Sequence, residues 1–418
     1  MRRQNICNLL SLVSIQASNA LIPLVIFPYA LTIIGTESYA KLAVTEAVAI
    51  AAITFVLYSF EVDGVARVIR LDWKHERSKI AAVFSGVLYI RLFIFSIYSF
   101  VALSSVFFLD PLSAHLLVMW LGVPLSYALQ SSWLFLAIER NGVLAALTVS
   151  SRVLAGVIIF VVVKSPSDVG LIPLIMSLCY LAGALGALSY IIFSFQLRLQ
   201  RPHLQDLYDL ARKGKELFIG NLAVVLYRDC NVVLLGITQS DPAIVSLYSI
   251  AEKITKGIQA VTRPLNQLYF PKTLKQLGKN SEPNLASLSK IMRNVLPQFA
   301  TLTAILCCAG IAYLFSSSLI KQENAFQHYQ TIFHLIVLMI PSLFFGTSNY
   351  MLGVAGLNYL GERVYMYRAI LFTSMTSVIC CLILSAQFGA AGAAITLTLS
   401  EGLLLLIILR RFSPRPSR

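Results

Sequence analysis

Charge is what this chain has least of. Only 12% of its 418 residues are Asp, Glu, Lys or Arg, while 57% are hydrophobic, and the mean hydropathy is +0.77. A soluble globular domain carries about 25% charged residues. Such a chain cannot cover a water-facing surface and belongs in a bilayer. Acids are scarcer than bases, 19 against 33, which leaves a net charge of +14. That excess would point to nucleic acid only if the bases formed a stripe on a folded polar surface. They fall between apolar runs instead, where Lys and Arg set membrane topology, so no nucleic-acid partner is expected.

Metal-ligating and nucleophilic patterns are also missing. The seven cysteines, Cys7, Cys179, Cys230, Cys307, Cys308, Cys380 and Cys381, lie inside apolar segments with no CxxC or Cys/His spacing. Neither disulfides nor a metal site are expected. The five histidines fall in loops or near helix ends. No Ser-His-Asp set, paired catalytic carboxylates or phosphate-cradling glycine loop emerges, so the sequence predicts neither catalytic residues nor a cofactor. The opening "MRRQNICNLLSLVSIQ" places two arginines before an apolar run, as a signal peptide does. No small-residue cleavage pattern follows, and it reads as a retained first membrane helix.

What the chain has in abundance is long apolar runs. Since a helix rises about 1.5 Å per residue, about 20 apolar residues cross a hydrocarbon core of roughly 30 Å. That ruler divides the sequence into twelve spans, at 8–34, 39–60, 80–109, 113–138, 143–163, 170–197, 217–238, 243–270, 291–315, 329–353, 364–386 and 389–410. The fold class is all-α, a polytopic membrane protein of twelve transmembrane helices. The basic residues check this division: 24 fall in or beside alternate connections and at both ends, and only Lys41, Lys164 and Lys321 in or beside the others. Cytoplasmic loops are enriched in Lys and Arg, so both termini are expected on the cytoplasmic side of a bacterial inner membrane.

The longest polar connection, "QLRLQRPHLQDLYDLARKGKE", separates six spans from six. Residues 1–197 read as an N-terminal lobe, 198–216 as a cytoplasmic linker, and 217–418 as a C-terminal lobe, arranged around a central cavity as in transporters built from related halves. "DLYDLARKGK" has the pattern of an amphipathic interfacial helix. "IIGTESYAKLAVTEAVAI" and "LLGITQSDPAIVSLYSIAEKI" share an apolar pair, a glycine, a polar outer turn and then a glutamate. That alignment sets Glu46 opposite Glu252.

Six bases lie well inside the spans, away from their ends: Arg91, Arg152, Arg228, Lys253, Lys256 and Arg263. Each costs about 2.5–3.5 kcal/mol at mid-bilayer on insertion scales, so they must face protein, water or substrate. At about 100° per residue, Glu252, Lys256, Gln259, Arg263 and Asn266 fall within about 40° of one line. They form a single polar stripe with Lys253 on its flank. Arg228 shares a face with Asn221 and Asn231, and Asp229 is placed as its partner or as a proton carrier. Within the spans four acids, Glu46, Asp229, Glu252 and Glu401, face six bases, an excess that calls for an anion. The alternative is that the stripe serves only as interhelical salt bridges, with Glu252 and Lys256 paired one turn apart. Arg91 and Arg152 either join the cationic cavity or snorkel towards the cytoplasm. Asn8 and Asn19 share a face of the first helix, where Pro23 and Pro28 are expected to produce a kink.

The segment "SLYSIAEKITKGIQAVTRPLNQLYFPKTLKQ" resembles the eighth span of Wzx-type O-antigen flippases. Similar agreement is found in "NALIPLVIFPYALTIIGTESYA", "YSFEVDGVARVIR", "QSSWLFLAIERNGV" and "GAAGAAITLTLSEGLLL", so the resemblance covers the whole length. It places the chain in the multidrug/oligosaccharidyl-lipid/polysaccharide exporter superfamily. Tyr39-Ala40 and Leu136-Ala137 depart from the family's usual Tyr-Gly and Gln-Gly. The resemblance implies movement of an undecaprenyl-diphosphate-linked repeat unit to the outer leaflet by rocking of two six-helix lobes. A polysaccharide polymerase and a chain-length regulator are the implied partners, beside the phospholipid bilayer. Acids such as Glu252 and Asp229 would then permit H+ or Na+ coupling. Two other classes stay in competition. One is a cation-coupled small-molecule exporter of the same superfamily, in which acids should dominate the cavity. The other is a membrane glycosyltransferase or polymerase, which needs a sizeable outer loop where this chain has turns such as "GTES" and "TQSDPA".

Overall fold

Helix length against bilayer thickness governs the architecture. A computed structural model describes residues 2–69, 71–73, 75–278, 282–317 and 323–413, and the described residues are helical with no strand. The helices are α1 (Arg2–Leu57), α2 (Phe60–Val68), α3 (Arg77–Ser104), α4 (Pro111–Met119), α5 (Gly122–Gln130), α6 (Ser132–Ala137), α7 (Asn141–Val162) and α8 (Leu171–Ser194). After them come α9 (Leu204–Arg228), α10 (Asn231–Thr238), α11 (Pro242–Leu277), α12 (Leu285–Ser317), α13 (Glu323–Asn349) and α14 (Arg363–Phe412).

Eight helical stretches are long and apolar enough to cross a membrane, and the α9–α10 pair, bent by 50°, qualifies as a ninth. Two of the eight, Leu10–Val68 and Arg363–Phe412, have 59 and 50 residues, enough to cross twice. Each turns at a glycine: Gly35 at φ 77°, ψ 169° and Gly389 at φ 57°, ψ −134°. Both lie where a Cβ is strongly disfavoured. The 36-residue α11 fails the apolar test alone because it carries the charged stripe. Counting both arms of each turned helix, and adding the bent pair and α11, the described residues make twelve crossings, as the apolar runs predict. The turn at Gly35 falls between the first two apolar runs, where a connection is expected; Pro23 and Pro28 sit inside the first arm, and the backbone keeps helical dihedrals at both. Each proline removes one donor from a helix otherwise bonded along its length.

The chain separates into two compact units, Met1–Val225 and Leu226–Arg418. In the first, a core of Phe60, Phe84, Trp133, Phe135, Ile191 and Leu210 gathers where α2, α3, α6, α8 and the start of α9 meet. The stretch expected to lie on the interface is continuous with the seventh span, as one 25-residue α9. Its Leu207, Leu210 and Ala211 join this core, and the Tyr58 hydroxyl donates to the Ala211 carbonyl at 3.0 Å. In the second unit α13 and α14 pack along one another, with α10 and α11 against them. Beyond α13 the backbone widens into a π-helical segment over Tyr350–Leu357. Cys179, Cys230, Cys307, Cys308, Cys380 and Cys381 are free thiols.

On the side away from the N-terminus, Asp110 caps α4. Its carboxylate accepts from the Ser113 N–H at 3.2 Å and pairs with Lys41 at 2.9 Å. Burial pushes the Asp110 carboxyl up, but the bonds from Ser113 and Lys41 outweigh that and hold it down at about 2. A carboxyl depressed on folding contributes stability above its unfolded value, lost as pH falls towards the folded one. Asp110→Ala should therefore cost about 0.5–2 kcal/mol at neutral pH, with the difference from wild type vanishing in unfolding experiments taken from pH 5 towards pH 2. Gly35→Ala should cost about 1–3 kcal/mol in thermal unfolding. A Gly35 variant as stable as wild type would mean that α1 does not turn there.

Candidate functional site

Buried charges must find partners, and in the second unit they find them across helices. α9 ends at Arg228 and α10 begins at Asn231, so Arg228, Asp229 and Cys230 sit at the 50° bend of the seventh span. Lys256 on α11 reaches Asp229 at 2.8 Å and Glu252, one turn back, at 3.4 Å. Arg228 reaches Glu401 on α14 at 3.2 Å and donates to Gln259 on α11 at 2.5 Å. Glu401 accepts a further bond from Asn349 at 2.7 Å, and Asn349 also holds the Glu401 carbonyl at 2.9 Å. Asn349 is the last residue of α13 before the π-helical segment. Gly346 leaves room for this meeting: a Cβ there would stand 3.0 Å from Gln259 Nε2 and 3.5 Å from Glu401 Oε1. Among the described residues no group of acids, cysteines and histidines could hold a metal ion.

The predicted stripe therefore lies on α11 with Lys256 and Gln259 in contact with the seventh span. Glu252 and Asn266 are buried, at 4% and 9% exposure, and among the described residues Glu252 Oε1 and Asn266 Oδ1 have no hydrogen-bond partner. Lys253 is half-buried on the flank. The Arg263 side chain lies outside the described residues. Asn221 belongs to the first unit, where it donates to the Tyr58 carbonyl at 3.3 Å.

The first unit holds its cations differently. Arg91, with no exposed surface, donates to Glu61 at 2.8 Å and lies 5.9 Å above the Phe60 ring. Glu61 also accepts from Ser132. Arg152, 3% exposed, bonds the Tyr127 hydroxyl at 3.0 Å and the Thr148 carbonyl at 3.3 Å, with the Tyr180 ring 4.5 Å away. Glu46 is buried on the second arm of α1, and Asn19 Oδ1 on the first arm is buried with no partner. Arg91 and Arg152 are thus enclosed by protein. In contrast, the Arg228 and Lys256 side chains keep 28% and 38% of their surface exposed.

Three participants escaped the sequence reading. Glu61 falls one residue past the expected end of the second span, so it was not counted among the acids; with it, five acids face six bases. Glu401 was counted but given no partner. Asn349 lay in a stretch of small and polar residues that reads by default as close packing.

The chain matches the family model described as "Polysaccharide biosynthesis protein" over residues 6–274. A curated protein of Escherichia coli (strain K12) named "Putative O-antigen transporter" is 22% identical over 405 residues, covering 96% of this chain and 95% of that one. One of the same name from Shigella dysenteriae is 21% identical over 415 residues, covering 96% and 98%. Among solved structures, the lipid II flippase MurJ in an inward closed conformation aligns with TM-score 0.69 at 11% identity, covering 99% of this chain and 88% of that one. An inward-facing multidrug resistance MATE family transporter of the MOP superfamily aligns with TM-score 0.66 at 15% identity, covering 98% and 93%. At such identities these likenesses establish the fold.

If Lys256 and Asp229 form an ion pair in the protein, their substitutions are coupled. A double-mutant cycle of Lys256→Ala and Asp229→Ala, read by thermal unfolding in detergent, should return an interaction of about 0.5–3 kcal/mol. Strict additivity would remove the pair.

Proposed function

The chain belongs to the polysaccharide biosynthesis protein family, and on that premise we propose that it is a flippase for undecaprenyl-diphosphate-linked oligosaccharide repeat units. It carries them from the cytoplasmic to the periplasmic leaflet of a bacterial inner membrane by alternating access, with both of its termini on the cytoplasmic side. The cargo's diphosphate and hydroxyls do not cross hydrocarbon, whereas its polyprenyl tail stays in lipid. The task of the protein is to shelter an anionic headgroup.

One observation carries this reading: the two half-exposed cations, Arg228 and Lys256, are held by carboxylates at the break in the seventh span. Discontinuous membrane helices are where transporters place substrate and ion sites. A phosphate oxygen about 4 Å from one such cation gains roughly 4 kcal/mol at an effective dielectric near 20. The carboxylate it displaces loses a similar amount, so the exchange is nearly balanced and the cargo can leave. Asp229 or Glu252, once released from Lys256, is free to take a proton or Na+, which couples the exchange to an ion gradient. Lys253, Arg263, Gln259 and Asn266 extend the polar stripe on which sugar hydroxyls and phosphate are received. Arg91 and Arg152, with Glu46, Asn19 and Asn221 elsewhere in the first unit, supply fixed positive potential and polar contacts. A polymerase and a chain-length regulator would consume the product.

In a strain lacking the gene, surface polysaccharide should disappear and the lipid-linked repeat unit should accumulate on the cytoplasmic side. Lys256→Ala or Arg228→Ala at normal protein level should restore less than about a tenth of the polysaccharide, about 1.4 kcal/mol of lost transition-state stabilisation. Lys256→Arg should restore most of it. Wild-type polysaccharide in both alanine variants would remove these cations from the transport path. Loss of drug efflux with unchanged polysaccharide in the deletion strain would favour a cation-coupled small-molecule exporter.

A further inference from the structure

A second cationic feature lies at the membrane surface of the first unit, away from the charges within the spans. α2 and α6 end there, α3 and α7 begin there, and α8 ends there. These ends follow an even number of crossings and so share the side of the N-terminus. Between them opens a cavity of about 440 Å³, within the roughly 300–1,000 Å³ of small-ligand sites. Arg77, Arg140 and Ser194 supply its polar lining, and Trp73, Tyr190 and Phe195 its aromatic wall. Phe195 stands edge-on to Trp73 at 5.5 Å and to Tyr190 at 5.1 Å.

Both arginines lack an acidic partner. Arg77 makes one hydrogen bond, to the Gln196 side chain at 3.3 Å, and among the described residues neither it nor Arg140 forms an ion pair. Of the acids nearby, Glu76 is engaged with Lys79 at 2.6 Å and Asp72 with His75 at 2.7 Å, while the exposed Glu139 precedes Arg140 in the chain without forming an ion pair to it among the described residues. The hydrogen bond from Lys79 and that from the Asp72 N–H hold the Glu76 carboxyl below its ordinary range. Arg140 is the residue before α7, which starts with no side-chain cap, so a cation stands where the helix dipole is already positive. Such a place favours an anion. The rim is also strained. Glu139 at φ 57° and Gln196 at φ 54° adopt the left-handed region without being glycine, a conformation that clusters at ligand sites. Beside the charges the rim is apolar and open to lipid, with Ile69 67% and Phe193 79% exposed.

We propose that this cavity binds the headgroup of an anionic phospholipid of the surrounding leaflet. Arg77 and Arg140 hold the phosphate, with the Ser194 hydroxyl beside them. The aromatic wall takes the glycerol region, and the chains run down the exposed apolar rim. Phosphate on an amphiphile is chemistry that the diphosphate cargo also offers. The phospholipid is favoured because the cavity lies at the interface, where basic pockets between spans take anionic headgroups and aromatic residues settle at headgroup level.

The test uses the full chain in detergent and native mass spectrometry with three probes: phosphatidylglycerol, phosphatidylcholine and inorganic pyrophosphate. Phosphatidylglycerol should bind, phosphatidylcholine should not, and millimolar pyrophosphate should not displace the bound lipid. Arg77→Ala and Arg140→Ala should each weaken binding about fivefold and the double variant about 25-fold. Arg77→Lys/Arg140→Lys should retain most of the affinity. Both arginines are exposed, and the thermal midpoint without lipid should be unchanged by their removal. If the double variant nevertheless unfolds, Arg140→Ala alone decides. Undiminished binding in the alanine variants, equal binding of phosphatidylcholine, or displacement by pyrophosphate overturns the proposal, the last in favour of a diphosphate site.

Discussion

A charge inside a bilayer has to be answered by another charge, by a dipole or by water, and much of this structure follows from that requirement. In the second unit the answers come from other helices. Lys256 on α11 is met by Asp229 at the end of α9, and Arg228 by Glu401 on α14. The seventh, eighth and twelfth spans are tied by ion pairs rather than by apolar packing alone. Replacing buried pairs with well-packed apolar residues is often neutral or stabilising. Stability is therefore a weak reason for such a network, and a specific role is a stronger one.

The same requirement is met by other means in the first unit. Arg91 has a carboxylate and a ring, while Arg152 has a tyrosine hydroxyl, a carbonyl and a ring. These side chains retain at most 3% exposure. They are enclosed by protein. The Arg228 and Lys256 side chains keep roughly a third of their surface open. The two units thus answer the same cost of charge with different degrees of enclosure.

Much of this was legible in the sequence. Twelve apolar runs and alternating basic loops gave the crossing count because bilayer thickness and the cost of charge act on composition directly. Periodicity placed Glu252, Lys256, Gln259 and Asn266 on one face, since a single helix keeps its register. Pairing between helices was not legible: nothing local in Glu401 or Glu61 says that its partner stands 173 residues before it or 30 residues after it. The turn at Gly35 was legible too, since it falls in the break between the first two apolar runs. The effect of Pro23 and Pro28 was not, because both keep helical dihedrals within the first arm. The amphipathic stretch at 206–215 was read as an interfacial helix because its apolar side, Leu207 and Leu210, seeks a core brought together only by folding.

Backbone irregularity gathers where the charges of the second unit pair. The seventh span breaks between Arg228 and Asn231, and the π-helical segment begins one residue after Asn349, so Lys256 and Glu401 are each fixed beside a disrupted helix. Broken and widened helices free backbone groups that lipid cannot satisfy, and they persist only where protein or water does so. Glu252 Oε1 adds a buried acceptor with no partner. Continuous helices would satisfy their own backbone, whereas interrupted ones leave backbone donors and acceptors at the same depth as the charges, where polar side chains of neighbouring helices already gather.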